Sequence, residues 1–542
     1  MGNILVVIPA RGGSKGIPRK NLRLLNDKPL IYYAINTALN SKYCPDVYVS
    51  SEDDEILNSA LLFGAKTHRR DQAIADDKST LDPVIYACFE YARTIEKKEY
   101  DYIITMQPTS PLLTKTSLDA AIKKAIENKN IETIISAKDN THLSWRLENN
   151  VFIPNYKERV NRQYLTPTFV ETGGFFITRQ DIIKPNNRIG KNVELFVLGN
   201  GEEIDIDTYD DWNICEYHIR KKHIVFVVTG NNVVGLGHVY NTLLIANDIL
   251  NHKISFLVDK DSQLAFDKIA SKNYPVYIQK EDNIIEDIKN LSPDIVINDR
   301  LDTTSEYMNN LKSLDFKVIN FEDLGEGAKK ADLVINAIYP EKNVLKNHHF
   351  GHKYFILRDE FIYSNQKIIN KEVRNILITF GGVDPNNYTE KVLKTIYDYC
   401  QDKNISITII TGFGYDKFET LKKYQNIEIL KNVSNISSYM LNADLIFTSA
   451  GRTVFEIASI GTPAIVLAQN ERELTHFFAS SEYGFLNLGL GYNVDNNDLY
   501  NNFVDLIESY DNRLYMGELM KRRNLKESRK AVIKLIQDLI NE

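Results

Sequence analysis

Apolar and polar positions along this chain alternate between two spacings. Short runs that are apolar almost throughout, NILVVIPA (3–10), DVYVSS (46–51) and DYIITMQPTS (101–110), are separated by stretches with helical spacing, LIYYAINTALN (30–40) and LDPVIYACFEYARTI (81–95). Apolar runs without polar alternation suit strands buried on both faces. Strands alternating with helices predict an α/β fold with a mostly parallel sheet. DDWNICEYHIRKKH (210–223) reads as a helix ending in a basic cluster, and the pattern then restarts with HIVFVVTG (223–230), a Gly-rich turn and the helix VYNTLLIANDIL (239–250). A third start comes at NILITFGGVDP (375–385), followed by ITIITGFG (407–414) and ADLIFTSAGRTVFEIASIGTPAIVLA (443–468). These restarts predict a first domain over 1–222 and two similar α/β lobes over 223–370 and 371–542. The last lobe closes in two helices, the final one carrying AVIKLIQDLI (531–540).

The length of 542 residues is too much for one ordinary core, in keeping with several domains. A hydrophobic share of 43% and a charged share of 25% are those of a globular chain, and a net charge of -7 argues against nucleic acid as partner. Cys44, Cys88, Cys215 and Cys400 form no CxxC pair, so neither zinc nor a disulfide framework is expected. No apolar run has bilayer length, and the opening apolar run lacks a preceding basic segment. The expectation is a cytoplasmic protein that does not engage a membrane.

Candidate chemistry concentrates at strand ends. IPARGGSKGIPRKN (8–21) follows the first strand and combines Gly12, Gly13 and Gly16 with Arg11, Lys15, Arg19 and Lys20. Glycines let backbone N–H groups approach an anion, and the cations add charge, an arrangement suited to a triphosphate. EEIDIDTYDDW (202–212), read as a strand, places Asp205 and Asp207 on one face roughly 7 Å apart. Such a pair suits Mg2+ shared with phosphate oxygens. In QPTSPL (107–112), Gln107 closes a strand and two prolines stiffen the turn, a fixed polar edge able to hold a sugar.

In the second half, GLGHV (235–239) puts His238 at a helix start, where the helix dipole favours the neutral imidazole that a general base requires. In SAGRTVFEIASIGTP (449–463), Gly451, Arg452 and Thr453 open a helix, a natural diphosphate site. Glu456 either accepts ribose hydroxyls or closes a Thr-x-x-Glu capping box with Thr453. FGGVDP (380–385) is a second glycine turn expected to face the same cleft.

IPARGGSKGIPRKN, HRRDQAIADDKST (68–80), QPTSPL and IDIDT, in that order, resemble the motifs of CMP-sialic acid synthetases, the acylneuraminate cytidylyltransferases, over roughly residues 1–220. The resemblance implies a GT-A-like nucleotidyltransferase domain, dimeric through that domain, that converts CTP and a nonulosonic acid to CMP-sugar and pyrophosphate. It implies that Arg11, Lys15 and the catalytic Lys20 hold the triphosphate, with Asn21, Arg70, Ser79 and Thr80 around the nucleotide. Gln107 would contact the sugar acid with Arg162 and Gln163 nearby, and Asp205 and Asp207 would hold Mg2+ as cofactor. Leu113 stands after QPTSPL where the family often has Arg, and ETGGFFI (171–177) replaces an Asn-Gly-Ala segment. Both differences fall on the sugar side and point to a pseudaminic- or legionaminic-type acid.

GLGHV, YFILRDEF (354–361), FGGVDP and AGRTVFE resemble, over roughly 223–510, the two-lobed GT-B enzymes with Rossmann-type domains, and among them the UDP-sugar hydrolase of pseudaminic acid synthesis. That implies displacement of UDP from an acetamido sugar by water activated at His238. Asn241 stands where the hydrolase commonly has Arg, and Ala450-Gly451-Arg452-Thr453 stands for Gly-Gly-Ser-Thr. Glycosyl transfer to a sugar hydroxyl, or binding of a UDP-sugar without turnover, are the alternatives for this half.

Overall fold

The structure, a computed structural model, describes residues 3–14, 16–74, 80–231, 234–340, 345–412 and 414–541. Two compact units, Met1–Lys221 and Lys222–Glu542, make up the chain.

In the first unit a seven-stranded sheet runs in the order Val193–Leu198, Thr133–Asp139, Phe169–Arg179, Tyr102–Thr105, Ile4–Pro9, Asp46–Ser51, Lys66–Arg69. Ile4–Pro9 pairs in parallel with both neighbours, and only Phe169–Arg179 runs antiparallel to those beside it. Ile4–Pro9 is buried along its whole length because alternate residues serve two cores. Val6 and Ile8 pack toward the helices Leu30–Leu39 and Lys115–Glu127, while Leu5 and Val7 pack toward Leu81–Glu96. The helix Asp54–Leu62 starts on a side-chain cap, Asp53 Oδ1 accepting from the N–H groups of Glu55 and Ile56. Tyr209–Arg220 starts on a reciprocal Thr208/Asp211 capping box.

The second unit holds two all-parallel sheets. The first lobe has the order Val276–Ile278, Lys253–Val258, His223–Val228, Ile295–Asp299, Lys317–Phe321, Leu333–Asn336, His348–Phe350. The second lobe has Ile427–Lys431, Ser406–Thr411, Asn375–Ile378, Leu445–Thr448, Ala464–Ala468, Phe485–Leu490. Each lobe grows outward from its first strand in one direction and then in the other. The loops on either side of that switch point diverge and leave a crevice at the carboxyl edge, where open α/β sheets take ligands. This is the GT-B architecture of two facing Rossmann-type lobes.

One element departs from the sequence-based division. The helix Ser528–Asn541, assigned by position to the second lobe, packs on the first. Val532, Ile536 and Ile540, spaced four apart on one helix face, join the core of Ile224, Phe226 and Ile297. Lys317 Nζ donates to Leu539 O at 2.8 Å, and Ser528 Oγ to Phe355 O at 2.5 Å.

Candidate functional sites in the two units

At the carboxyl edge of the first unit's sheet lies a cavity of about 480 Å3, lined among others by Arg11, Lys20, Asn21, Arg70, Gln107, Asp205 and Asp207. The loop after Ile4–Pro9 is shaped by Asn21, 6% exposed, whose Nδ2 donates to Arg11 O at 2.9 Å. Lys20 Nζ donates to Ile206 O at 2.6 Å and stands 3.5 Å from Asp207 Oδ1, drawing the cationic loop and the acidic segment together. Arg70, also 6% exposed, donates through Nη2 to Ser50 O at 2.7 Å and lies 3.6 Å from Glu52 Oε2.

The segment 204–207 is not a strand. Its backbone leans on the proline turn through one bond, Ile206 N–H to Thr109 O at 2.8 Å, with no ladder on either side. The I-D-I-D alternation nevertheless sorts the side chains: Ile206 is buried, Asp207 is exposed, and Asp205 turns into the cavity wall. Two glycines make room for this segment. A Cβ on Gly16 would meet Asp207 O at 2.8 Å, and one on Gly173 would meet both carboxylate oxygens of Asp205 at 3.1 Å. Gly173 sits in a register shift between Glu171 and Phe176, inside ETGGFFI, and its carbonyl accepts from the N–H of Gln107 at 3.1 Å. Gln107 itself lies two residues past the strand Tyr102–Thr105 rather than closing it.

Burial, with Asp207 beside it, raises the Asp205 carboxyl above the usual carboxylate range. Its Oδ1 is buried without a hydrogen-bond partner. Among the described residues no group of three or more His, Cys, Asp or Glu side chains gathers as a metal site. Two carboxylates, one with an orphaned oxygen, fit the donor set of an Mg2+ ion that takes its remaining ligands from phosphate and water.

Several expected residues sit elsewhere. Arg19 turns to the surface and pairs with Glu55 at 2.5 Å, drawn to the acidic first turn of Asp54–Leu62. The N–H of Gly12 donates to Glu52 Oε1 at 2.7 Å, so this donor of the anion loop is already engaged. Arg162 and Gln163 occupy the exposed 3-10 turn Arg162–Tyr164 outside the cavity lining, Arg162 3.8 Å from Asp139. Thr80 is exposed at the start of Leu81–Glu96, outside the cavity lining, and does not cap the helix through its side chain. Lys15 and Ser79 lie outside the described residues.

In the second unit a cavity of about 390 Å3 lies between the two lobes. Loops at the carboxyl ends of strands in both lobes meet there. Gly237 and Asn241 come from the first lobe, with Gly381, Gly382, Arg452, Thr453 and Glu456 from the second. His238, at the start of Gly237–Asp248, is half-buried beside this cavity. Its Nδ1 faces Asp299 Oδ1 at 2.5 Å, and Asp299 Oδ2 accepts from Asn241 Nδ2 at 2.7 Å. Asp299 is fully buried at the end of the strand beside His223–Val228. A carboxylate only accepts, so Nδ1 carries the proton and Nε2 is left as the acceptor nitrogen. Asp299 was missed in the sequence because no local pattern marks it; it lies 61 residues from His238 and meets it only through strand order.

Gly451, Arg452 and Thr453 precede and open Thr453–Ile460, which has no side-chain cap, so the Thr-x-x-Glu box does not form. Glu456 is bound by Arg358, Nε to Oε1 at 2.7 Å, and burial raises its carboxyl above the ordinary range. Arg358 belongs to YFILRDEF and also pairs with Glu360 at 2.9 Å. The loop before Arg452 is held from behind: Ala450 N–H donates to Glu473 Oε2 at 3.2 Å, and Ala450 O accepts from His476 Nδ1 at 2.8 Å.

Residues 5–184 match the Cytidylyltransferase family and residues 375–533 the Glycosyltransferase family 28 C-terminal domain. The chain is 35% identical over 272 residues to the Uncharacterized protein MJ1062 of Methanocaldococcus jannaschii, covering 46% of this chain and 56% of that protein, so it spans little more than half that relative's length. It is 34% identical over 233 residues to the Pseudaminic acid cytidylyltransferase of Campylobacter jejuni, covering 40% of this chain and 97% of that one. A Helicobacter pylori protein, Pseudaminic acid cytidylyltransferase and UDP-2,4-diacetamido-2,4,6-trideoxy-beta-L-altropyranose hydrolase, is 25% identical over 485 residues, covering 85% of this chain and 87% of that one.

Proposed function

Since the chain belongs to the cytidylyltransferase family, we propose that its first unit couples CTP to a nonulosonic acid of the pseudaminic type, releasing pyrophosphate, and that its second unit hydrolyses a UDP-linked acetamido sugar. The observation that carries the first half is the single cavity in which Arg11, Lys20, Arg70, Gln107, Asp205 and Asp207 converge. The anomeric oxygen bonds to the α-phosphorus as the bond to pyrophosphate breaks. Arg11 and Lys20 offset the negative charge carried by the leaving group. Gln107 orients the sugar acid from the stiff proline turn. Asp205 and Asp207 would hold Mg2+, which when bound supplies further charge neutralisation at the phosphates.

In the second unit His238 Nε2 takes a proton from water as the water oxygen bonds to the sugar's anomeric carbon, and the bond from that carbon to the diphosphate oxygen breaks, releasing UDP. The uncapped start of Thr453–Ile460, with Arg452, offers donors for the diphosphate. The likeness to the two-activity Helicobacter pylori protein over 85% of this chain favours hydrolysis over transfer or binding without turnover. The homodimer reading draws on an exposed apolar hairpin of the first unit, with Trp145 52% and Phe152 71% exposed. The four cysteines are all free, in keeping with a reducing cytoplasm. Among the described residues no helix is long and apolar enough to cross a membrane.

A pyrophosphate-release assay with CTP against a panel of nonulosonic acids tests the first activity, and UDP release from UDP-acetamido sugars without an acceptor tests the second. No pyrophosphate with any acid overturns the first reading. UDP release only when a sugar acceptor is added overturns the hydrolase reading in favour of transfer.

A further inference from the structure

The cavity of the second unit contains a bridge that the reaction above leaves unexplained. Arg452 leaves the second lobe with its stem against the first lobe, its Cδ 3.6 Å from where a Cβ on Gly237 would lie. Its guanidinium rests over the Phe355 ring, 4.9 Å from the centroid, and donates through Nη2 to Asn241 Oδ1 at 2.9 Å. Asn241, 3% exposed, spends its other end on Asp299, which in turn faces His238. A continuous chain of side-chain bonds therefore joins the base in one lobe to the phosphate-loop cation in the other.

The chemistry of that joint is restrictive. Asp299 can only accept and Arg452 can only donate, so the residue between them must donate at one end and accept at the other. A carboxylate at 241 would set two acceptors face to face. A lysine or arginine there would set two cations face to face. A side-chain amide satisfies both partners at once. Glu322, 4% exposed, stands 3.9 Å from Arg452 Nη1 and gives the guanidinium a second anchor on the first lobe.

We propose that Asn241 is a positioning residue that couples the two halves of the nucleotide-sugar site. Its amide nitrogen fixes Asp299, and through it the tautomer of His238, while its carbonyl holds Arg452 over the cleft for the departing diphosphate. This rests on the UDP-sugar hydrolase reading and assigns Asn241 the task of keeping the base and the leaving-group cation in one register.

The test is a double-mutant cycle on the full chain, with UDP binding measured by calorimetry and UDP release from a UDP-acetamido sugar measured in parallel. Asn241→Asp keeps the acceptor for Arg452 and loses the donor to Asp299. It lowers kcat by about a hundredfold while UDP affinity stays within about threefold. Arg452→Ala weakens UDP binding by about tenfold or more. In Asn241→Ala/Arg452→Ala the loss in kcat/KM falls short of the product of the single losses by about fivefold or more. UDP binding by each variant shows that the unit is folded. A kcat for Asn241→Asp within about twofold of the parent overturns the proposal, as do single losses that simply multiply. If the parent chain releases no UDP from any UDP-sugar, the hydrolase reading falls. The coupling is then judged on UDP affinity alone, where a purely multiplicative cycle overturns it.

Discussion

Replacing Asp299 by asparagine exchanges one carboxylate oxygen for an NH2 group and leaves size unchanged. The wild-type carboxylate receives two donors, His238 Nδ1–H on Oδ1 and Asn241 Nδ2 on Oδ2. An asparagine at 299 offers one acceptor and one donor, so one of the two contacts must be rewritten. If its oxygen keeps Asn241, its NH2 faces His238 Nδ1, which must then accept. The imidazole proton moves to Nε2, the nitrogen required to take a proton from water. General-base assistance is worth about a hundred- to ten-thousand-fold, or about 2.7–5.4 kcal/mol at 1.36 kcal/mol per factor of ten. The diphosphate donors on Thr453–Ile460 and the guanidinium of Arg452 are unchanged. The expected result is therefore a loss in kcat of that size with UDP affinity within about threefold. Continuous assay of UDP release gives kcat, and calorimetry gives UDP affinity. A kcat within tenfold of the parent would refute the tautomer reasoning. A kcat loss matched by an equal loss of UDP affinity would mean that Asp299 only supports the fold.

Asp205→Asn removes the carboxylate with the orphaned oxygen and is expected to abolish pyrophosphate release from CTP, while raising the first unit's melting temperature at pH 7. The folded chain holds the Asp205 proton more tightly than the unfolded chain. Its contribution is thus full below pH 3.8 and lost as pH rises, so the gain in the variant shrinks toward acid. Burial pushes Glu322 up to about 7 against the pull of Arg452; its contribution is full below its ordinary 4.5 and is lost as pH rises through about 7. Glu322→Gln flattens this dependence in melting curves of the second unit between pH 5 and 8, and an unchanged slope counts against it. Ile536→Ala deletes a fully buried side chain between the last helix and the first lobe, expected to cost about 2–5 kcal/mol in urea unfolding of the second unit. A cost under about 1 kcal/mol would mean that the helix contributes little to that core.

The elements that build each site are legible in the sequence because they are local. Ile4–Pro9, His223–Val228 and Asn375–Ile378 each show as a compact apolar run, and the glycine loops follow them directly. What escapes the sequence depends on distant partners. Arg19 reads as a phosphate cation until Glu55 is found beside it. Gly12 reads as a free donor until Glu52 takes its N–H. The I-D-I-D alternation fits a strand, yet with no neighbouring strand to form a ladder the segment stays irregular, anchored by Thr109 and Lys20. Asn241 and Arg452 are each visible as isolated oddities of their motifs. That one answers the other emerges only when the lobes are brought together.

The return of Ser528–Asn541 to the first lobe means that the polypeptide passes between the lobes of the second unit twice, once before Asn375–Ile378 and once after Tyr510–Lys521. A body hung from two points has lost most of its freedom to swivel. Both links hold the second lobe in the position where Arg452 meets Asn241 of the first.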